Sequence, residues 1–140
     1  MPKDYINFCL TGNFSTDVSD ASGTGYFDVK NRKWSKEILA KFDIDEELLP
    51  QVYESSQVVG NITEDIAKQT GLSTNTIVVA GAGDQAAAAV GNGVVKPGCT
   101  SISLGTSGVV FTAVDKPIYD KFGRLTPFAM LLRICGTLWE

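Results

Sequence analysis

A short apolar segment followed by a glycine turn limits the fold of this chain more than any other feature. Residues 76–80 read TIVVA, which predicts a buried β-strand. The next three residues, Gly81-Ala82-Gly83, predict a sharp turn, because glycine tolerates backbone conformations that other residues avoid. The run DQAAAAV from Asp84 to Val90 predicts a helix, since alanine has the highest helix propensity. A strand, a tight turn and a helix in this order indicate an α/β fold.

A second glycine turn follows about twenty residues later. The segments TSISL (100–104) and VVFTAV (109–114) predict a β-hairpin whose tip is Gly105-Thr106-Ser107-Gly108. Its glycines free the backbone, while its hydroxyl and N–H groups could form a nest for phosphate oxygens. An ordinary hairpin turn is the alternative.

The rest of the chain predicts short elements. Helices are expected over 2–11, 34–42 and 63–71, with Ser35 and Thr63 as N-caps. Short strands are expected at 58–62 and, unless it is a turn of helix, at 26–29. Residues 14–22 are rich in Ser, Thr and Asp, which favour turns and helix caps.

Composition excludes several kinds of site. The 140 residues include no histidine, which excludes a histidine base, a Ser-His-Asp triad and histidine metal ligands within the chain. The three cysteines lie far apart, as expected of reduced thiols in the cytoplasm. The net charge of −4 and the lack of a long basic cluster argue against nucleic acid as a partner. The sequence shows neither a signal peptide nor an apolar run of the ~18 residues that a membrane helix needs.

Asp84 is the main catalytic candidate. It follows a predicted buried strand at the start of a helix, and ligands bind at the carboxyl ends of strands in open α/β sheets. A carboxylate there could accept a proton from a substrate hydroxyl. The first alternative is that Asp84 only caps the helix. The second is a dinucleotide fingerprint, since GAGDQA fits G-x-G-x-x-A, although no acidic residue stands about 20 positions further on.

The two glycine turns in this order, with the segments around them, resemble the FGGY carbohydrate kinase family. TGNFSTDVSDASGT (11–24) is similar to a signature of that family, and AGAGDQAAAAVGNGVVKPG (80–98) and SLGTSGVVF (103–111) are most similar to its xylulokinase branch. The resemblance runs from about Pro2 to Arg124. It implies a partial actin-like ATPase (ribonuclease H-like) fold of the α/β class, with an incomplete sheet and helices.

The resemblance also implies roles for individual residues. Asp84 matches the aspartate that deprotonates the sugar hydroxyl, and Gln85 matches a neighbouring substrate contact. Gly105, Thr106 and Ser107 match the loop that meets the ATP phosphates. Gly81 and Gly83 are turn-forming residues. Asp17 and Asp20 lie in the signature and are expected to order a loop rather than to catalyse.

The implied activity is transfer of the ATP γ-phosphate to D-xylulose, with Mg²⁺ held by phosphates and water and no dedicated metal site. Alternatives are another sugar or polyol, such as gluconate, glycerol or ribulose, and a non-catalytic scaffold or pseudogene product, including a homodimer. Because a typical member is several times longer, the chain is expected to be inactive alone.

The expected organisation has three parts. Residues 1–93 would be the end of an FGGY N-terminal domain, and 94–124 the start of the C-terminal domain. Residues 125–140, which read LTPFAMLLRICGTLWE, depart from the family and are expected to be an out-of-frame or otherwise non-native tail. The alternative is a genuine apolar helix in this tail.

Overall fold

The structure, a computed structural model, describes residues 1–106, 108–129 and 135–139, with the backbone alone for the last range. Helices alternate with short strands along most of the chain. The elements in chain order are α1 (Pro2–Thr11), β1 (Ser15–Asp17), α2 (Val18–Ser22), β2 (Phe27–Asp28), β3 (Lys33–Trp34), α3 (Lys36–Lys41), a 3₁₀ turn (Glu46–Leu48), β4 (Gln51–Tyr53), β5 (Val58–Asn61), α4 (Glu64–Thr70), β6 (Ile77–Val79), α5 (Asp84–Gly91), β7 (Thr100–Leu104), β8 (Gly108–Val114), β9 (Thr126–Ala129) and β10 (Cys135–Trp139).

The predicted helices are present, although Trp34 lies in β3 and not in the helix expected over 34–42, and local signals explain the helix ends. Gly12 and Gly71 follow α1 and α4 in the left-handed conformation, each with φ of 77°. Ser35 caps α3 by accepting a hydrogen bond from the backbone N–H of Ile38 at 3.4 Å. Thr63 is the N-cap of α4, but its side chain makes no capping bond.

The segment 14–22 is more regular than the predicted turns. Residues 15–17 form β1, which runs parallel to β4, and residues 18–22 form α2. Asp17 caps α2 by accepting hydrogen bonds from the N–H groups of Ser19 and Asp20, so the expectation that Asp17 orders local backbone is confirmed. The strand was missed because its partner β4 lies more than thirty residues away.

One core cluster surrounds α2. It contains Trp34, whose ring meets Phe27 edge-on at 5.7 Å and whose indole N–H donates to the carbonyl of Pro50 at 3.0 Å. Its buried members are Val18, Ala21, Phe27, Val29, Trp34, Leu39 and Ala129.

A second cluster lies under β5 and β6, which pair antiparallel. Val59, Ile62, Val78 and Ala80 form it, with partly buried side chains from α1 and α4 around them. The prediction that all of 76–80 is buried was wrong: Ile77 is 59% exposed and Val79 is 41% exposed. Because side chains alternate along a strand and only one face of β6 is covered, Ile77 and Val79 point outward.

The predicted hairpin is confirmed as β7 and β8, and the tail extends its sheet in the order β7-β8-β10-β9. Ala89 and Val94 pack on Val109, Phe111 and Ala113, so α5 and its following turn lie against β8. The alternative of an apolar helix in the tail was wrong for the described residues, since 126–129 and 135–139 are strands. Strands form there because β10 finds backbone partners along five residues of β8.

Candidate functional site

The glycine turn 81–83 leads from the end of β6 to the start of α5. Backbone hydrogen bonds fix its entry: the N–H of Ala80 donates to the carbonyl of Gln57, and the N–H of Gly81 donates to the carbonyl of Ser55, each at 2.9 Å. Gly81 has φ of 77°, which other residues rarely adopt. The strand, the turn and the helix predicted from the sequence are therefore present.

Asp84 is the first residue of α5 and is exposed. The N-cap is Gly83, and among the described residues the Asp84 carboxylate accepts a hydrogen bond from the N–H of the next residue, Gln85, at 2.7 Å. The alternative that Asp84 serves as the N-cap was therefore wrong. Its carboxylate keeps free lone pairs facing solvent, as a proton acceptor requires.

Two clefts meet at Asp84. One has a volume of about 190 Å³ and includes Ser19, Asp20, Gln85 and Phe128 in its lining. The other, of about 410 Å³, includes Lys3, Asp20 and Ala82. Asp20, Gly83 and Asp84 line both. The structure thus places Asp84 and Gln85 beside one concave surface.

A buried carboxylate, that of Asp17, lies behind this concave surface and is linked to it through Ser19. Asp17 is fully buried, and its Oδ2 accepts hydrogen bonds from the Ser19 hydroxyl at 2.6 Å and the Ser55 hydroxyl at 3.0 Å. Its Oδ1 lies 3.1 Å from the ammonium group of Lys3. The Ser19 oxygen in turn accepts the N–H of Gly83 at 2.8 Å.

Lys3 links α1 to the turn. Its ammonium group contacts the carboxylates of Asp4 at 2.7 Å and Asp20 at 3.4 Å, and donates to the carbonyl of Ala80 at 2.9 Å. Burial acts to lower the pKa of Lys3, but the carboxylates of Asp4 and Asp17 outweigh it, and the pKa is raised. The pKa of Asp20 is raised by burial; the charge of Lys3 opposes this, while Asp17 and Asp4 reinforce it.

Sequence reasoning missed Lys3, Asn7, Ser19 and Ser55. Asn7 is buried and donates its amide to the carbonyl of Ala80 at 3.0 Å. Lys3 and Asn7 lie more than seventy residues from the turn, and no local pattern relates such distant positions. Ser19 carried a signal, since it is the serine of the Asp-x-Ser sequence in the segment 11–24.

The predicted phosphate turn lies apart from these clefts. Gly105 and Thr106 are exposed at the tip between β7 and β8, and Ser107 lies outside the described residues. Neither cleft beside Asp84 includes Gly105, Thr106 or Gly108. The structure therefore brings Asp84 and Gln85 together but does not join them to the hairpin tip in one cavity.

Within the described residues, no group of three or more acidic or cysteine side chains could hold a metal ion. The dinucleotide alternative requires a parallel strand–helix–strand unit, whereas β6 pairs antiparallel with β5 and, in the part of the chain that the structure describes, with no other strand.

No helix among the described residues is long and apolar enough to span a bilayer.

Comparisons with known proteins agree on one family. The model of the N-terminal domain of the FGGY family of carbohydrate kinases matches residues 1–91. Xylulose kinase from Escherichia coli (strain K12) is 45% identical over 121 residues, which cover 86% of this chain and 25% of that protein.

Solved structures give the same result. A xyloylose kinase from Brucella ovis superposes with a TM-score of 0.91 at 39% identity and covers 99% of this chain and 29% of that one. A gluconate kinase from Lactobacillus acidophilus gives a TM-score of 0.89 at 29% identity, covering 97% of this chain and 27% of that one. The α/β class and the partial actin-like ATPase fold are thereby confirmed. The chain spans about a quarter of the length of its curated relatives, and it belongs to the FGGY family of carbohydrate kinases.

Proposed function

We propose that this chain is the segment of an ATP-dependent sugar kinase that carries the catalytic base, and that Asp84 is this base. The observation that carries the proposal is the position of Asp84, whose exposed carboxylate lines two clefts at the first turn of α5. Family membership supports the reaction class, and the residue assignment rests on the match of Asp84 to the family aspartate.

The chemistry follows from the carboxylate. Asp84 accepts the proton of a sugar hydroxyl as its oxygen attacks the γ-phosphorus of ATP; the bond to the β-phosphate oxygen breaks and ADP leaves. Positioning and charge neutralisation contribute most of the rate in such transfers. A base in an open cleft suits this role, because the acceptor hydroxyl has to reach it.

ATP would bind through its phosphates to the tip of the β7–β8 hairpin. In the proposal, Gly105, Thr106 and Ser107 offer backbone N–H and hydroxyl donors to its phosphate oxygens. Mg²⁺ would neutralise phosphate charge and, in the proposal, is held mainly by phosphates and water. Since the hairpin tip and Asp84 line separate surfaces, the proposal requires closure of one part onto the other, which would also exclude water.

D-Xylulose is the proposed acceptor, giving D-xylulose 5-phosphate, and Gln85 is proposed to contact it. The support is the similarity to xylulose kinases at 36–45% identity. Gluconate is the second candidate, favoured by the similarity to the gluconate kinase from Lactobacillus acidophilus.

We also propose a division of the chain. Residues 1–93 would belong to the N-terminal domain, 94–124 to the C-terminal domain, and 125–140 to an out-of-frame or otherwise non-native tail. Reading the parent DNA tests the last point: an insertion or deletion near codon 125 is expected, and an uninterrupted frame downstream contradicts it. Because the chain spans about a quarter of the length of its curated relatives, we expect the 140-residue chain to show no turnover alone.

A chimera tests the function directly. Residues 2–124 replace the matching segment of the Escherichia coli xylulose kinase, and ADP release is measured with D-xylulose and with gluconate. The unaltered Escherichia coli enzyme is the reference: an unchanged preference for D-xylulose supports the first candidate, and a shift of the preference towards gluconate supports the second. A folded chimera that binds ATP but phosphorylates neither sugar contradicts the proposal.

A further inference from the structure

We propose that Asp17 and Ser19 are positioning residues for the catalytic turn and hold Asp84 in place through the N–H of Gly83. The inference rests on the proposed function, because it takes Asp84 as the base. Asp17 and Ser19 touch neither reacting atom in this scheme. They act through the backbone of the turn, and their effect should therefore appear in the rate rather than in substrate binding.

The Ser19 hydroxyl has a defined direction. Ser19 is fully buried, and its hydroxyl donates its proton to the Oδ2 of Asp17 at 2.6 Å. With the proton committed to Asp17, a lone pair of the same oxygen faces the N–H of Gly83 at 2.8 Å. Asp17 therefore orients the Ser19 hydroxyl, and the Ser19 oxygen in turn holds the N–H of Gly83, the N-cap of α5.

Hydrogen bonds and an ion pair hold both carboxylate oxygens of Asp17 in place. Its Oδ2 accepts from the N–H and hydroxyl of Ser19 and from the hydroxyl of Ser55, while its Oδ1 accepts from Lys3 at 3.1 Å. Each oxygen faces donors, so an asparagine here would turn its own N–H groups towards one set of donors or the other. The site thus demands a carboxylate.

Lys3 and Ser19 hold opposite ends of the glycine turn. Lys3, which contacts Asp17, also donates to the carbonyl of Ala80 at 2.9 Å, where the turn begins. Ser19 holds the other end at Gly83. One buried carboxylate therefore fixes the entry to the turn through Lys3 and its exit through Ser19.

The fit around the turn is close as well. A Cβ placed on Gly83 would lie 2.9 Å from the Oδ1 of Asp20. The start of α5 therefore lies directly against α2, and a loss of the Ser19 bond would let Asp84 move with the helix end. Displacements of about 1 Å at a catalytic group can cost about a hundredfold in rate.

The experiment compares Ser19→Ala with Ser22→Ala in the chimera. Ser22 is a matched control: it lies on the same helix, is buried, and donates its hydroxyl to the backbone carbonyl of Val18, away from the turn. We expect Ser19→Ala to lower kcat by about 10- to 100-fold with unchanged KM for sugar and ATP. Ser22→Ala should keep kcat. Asp17→Asn should resemble Ser19→Ala, and Ser19→Ala alone decides if Asp17→Asn does not fold.

A second readout does not depend on activity. In the 140-residue chain, amide hydrogen exchange of Gly83 is followed by NMR, with Gly71 as an internal reference because its N–H bonds within α4. Ser19→Ala should speed exchange at Gly83 by about two- to tenfold, the effect of losing one hydrogen bond, and leave Gly71 unchanged.

The outcomes separate the two claims. Equal kcat in Ser19→Ala and Ser22→Ala, or unchanged exchange at Gly83, overturns the positioning role even if Asp84 is the base. Near-normal turnover in an Asp84→Asn chimera overturns the proposed function, and with it the proposal that Asp17 and Ser19 position a catalytic base. A selective loss of kcat together with faster exchange at Gly83 supports the inference.

Discussion

At the scale of single residues, the site is shaped by an imbalance of charge. The ammonium group of Lys3 contacts the carboxylates of Asp4, Asp17 and Asp20, and the N-terminal ammonium of Met1 also contacts Asp4, at 3.2 Å, which leaves two cations for three carboxylates. Asp17 is fully buried and has the serine hydroxyls as additional partners. For Asp20, burial and the neighbouring carboxylates outweigh the attraction of Lys3, so its pKa is raised.

The raised pKa of Asp20 predicts how stability changes with pH. The folded chain holds this proton more tightly than the unfolded chain, so Asp20 lowers the free energy of unfolding as pH rises from its ordinary pKa of 3.8 through the raised value. Asp20→Asn removes that loss. We expect the variant to gain stability relative to the parent as pH rises to neutral, measured by urea unfolding across the range.

Asp28 provides a control of opposite sign. Hydrogen bonds from the side chain and backbone of Asn31 lower its pKa below 3.8. Its ionised form therefore stabilises the fold above 3.8, and this contribution is lost as pH falls through the lowered value. Asp28→Asn should lose stability relative to the parent as pH rises. Curves for Asp20→Asn and Asp28→Asn that run in the same direction would contradict this account.

At the scale of elements, local signals and distant contacts have separate roles. The helix over 2–11, the hairpin and the strand–turn–helix unit were predicted because glycine stops, alternation and alanine content are local features. The strand β1 and the outward side chains of β6 were not predicted, since both depend on which other strand lies alongside. The role of Lys3 was not predicted either, because its contacts with the turn join residues far apart in the sequence.

The glycine turn gives a prediction at this scale. Gly81→Ala combines a left-handed φ of 77° with a Cβ only 2.9 Å from the Cδ of Lys3, whereas Gly71→Ala has the same φ and open space around it. We expect Gly71→Ala to lose about 1–2 kcal/mol of unfolding free energy and Gly81→Ala to lose more. Equal losses in chemical denaturation would mean that Lys3 does not pack against the turn as described.

At the scale of the whole molecule, the tail is part of the described core. Ala129 is fully buried in the cluster around α2, and its N–H donates to the hydroxyl of Ser22 at 3.0 Å. The ring of Phe128 lies 6.3 Å from that of Phe111. The sequence of this segment shows that it is apolar but does not predict strands. Its strand structure depends on the pairing of β10 with β8.

Truncation after Arg124 tests the role of the tail. The shortened chain loses β9 and β10 and uncovers Phe111, so we expect the free energy of unfolding to fall by at least the ~2–5 kcal/mol that emptying one core position costs. Phe122→Ser is the control: this ring is 67% exposed and its side chain contacts the cations of Lys121 and Arg124, so the change should cost at most about 1 kcal/mol. A truncated chain with the parent's thermal midpoint would contradict packing of the tail against α2 and β8.

The central claim concerns the carboxylate of Asp84, and kcat of the Asp84→Asn chimera tests it most directly. The matched control is Asp65→Asn, since Asp65 is also an exposed acidic residue in the first turn of a helix. We predict that kcat falls by about 10²- to 10⁴-fold in Asp84→Asn, the contribution of a general base, while sugar binding and the Asp65→Asn chimera stay near normal. A kcat for Asp84→Asn within a few fold of that for Asp65→Asn would contradict the assignment of Asp84 as the base.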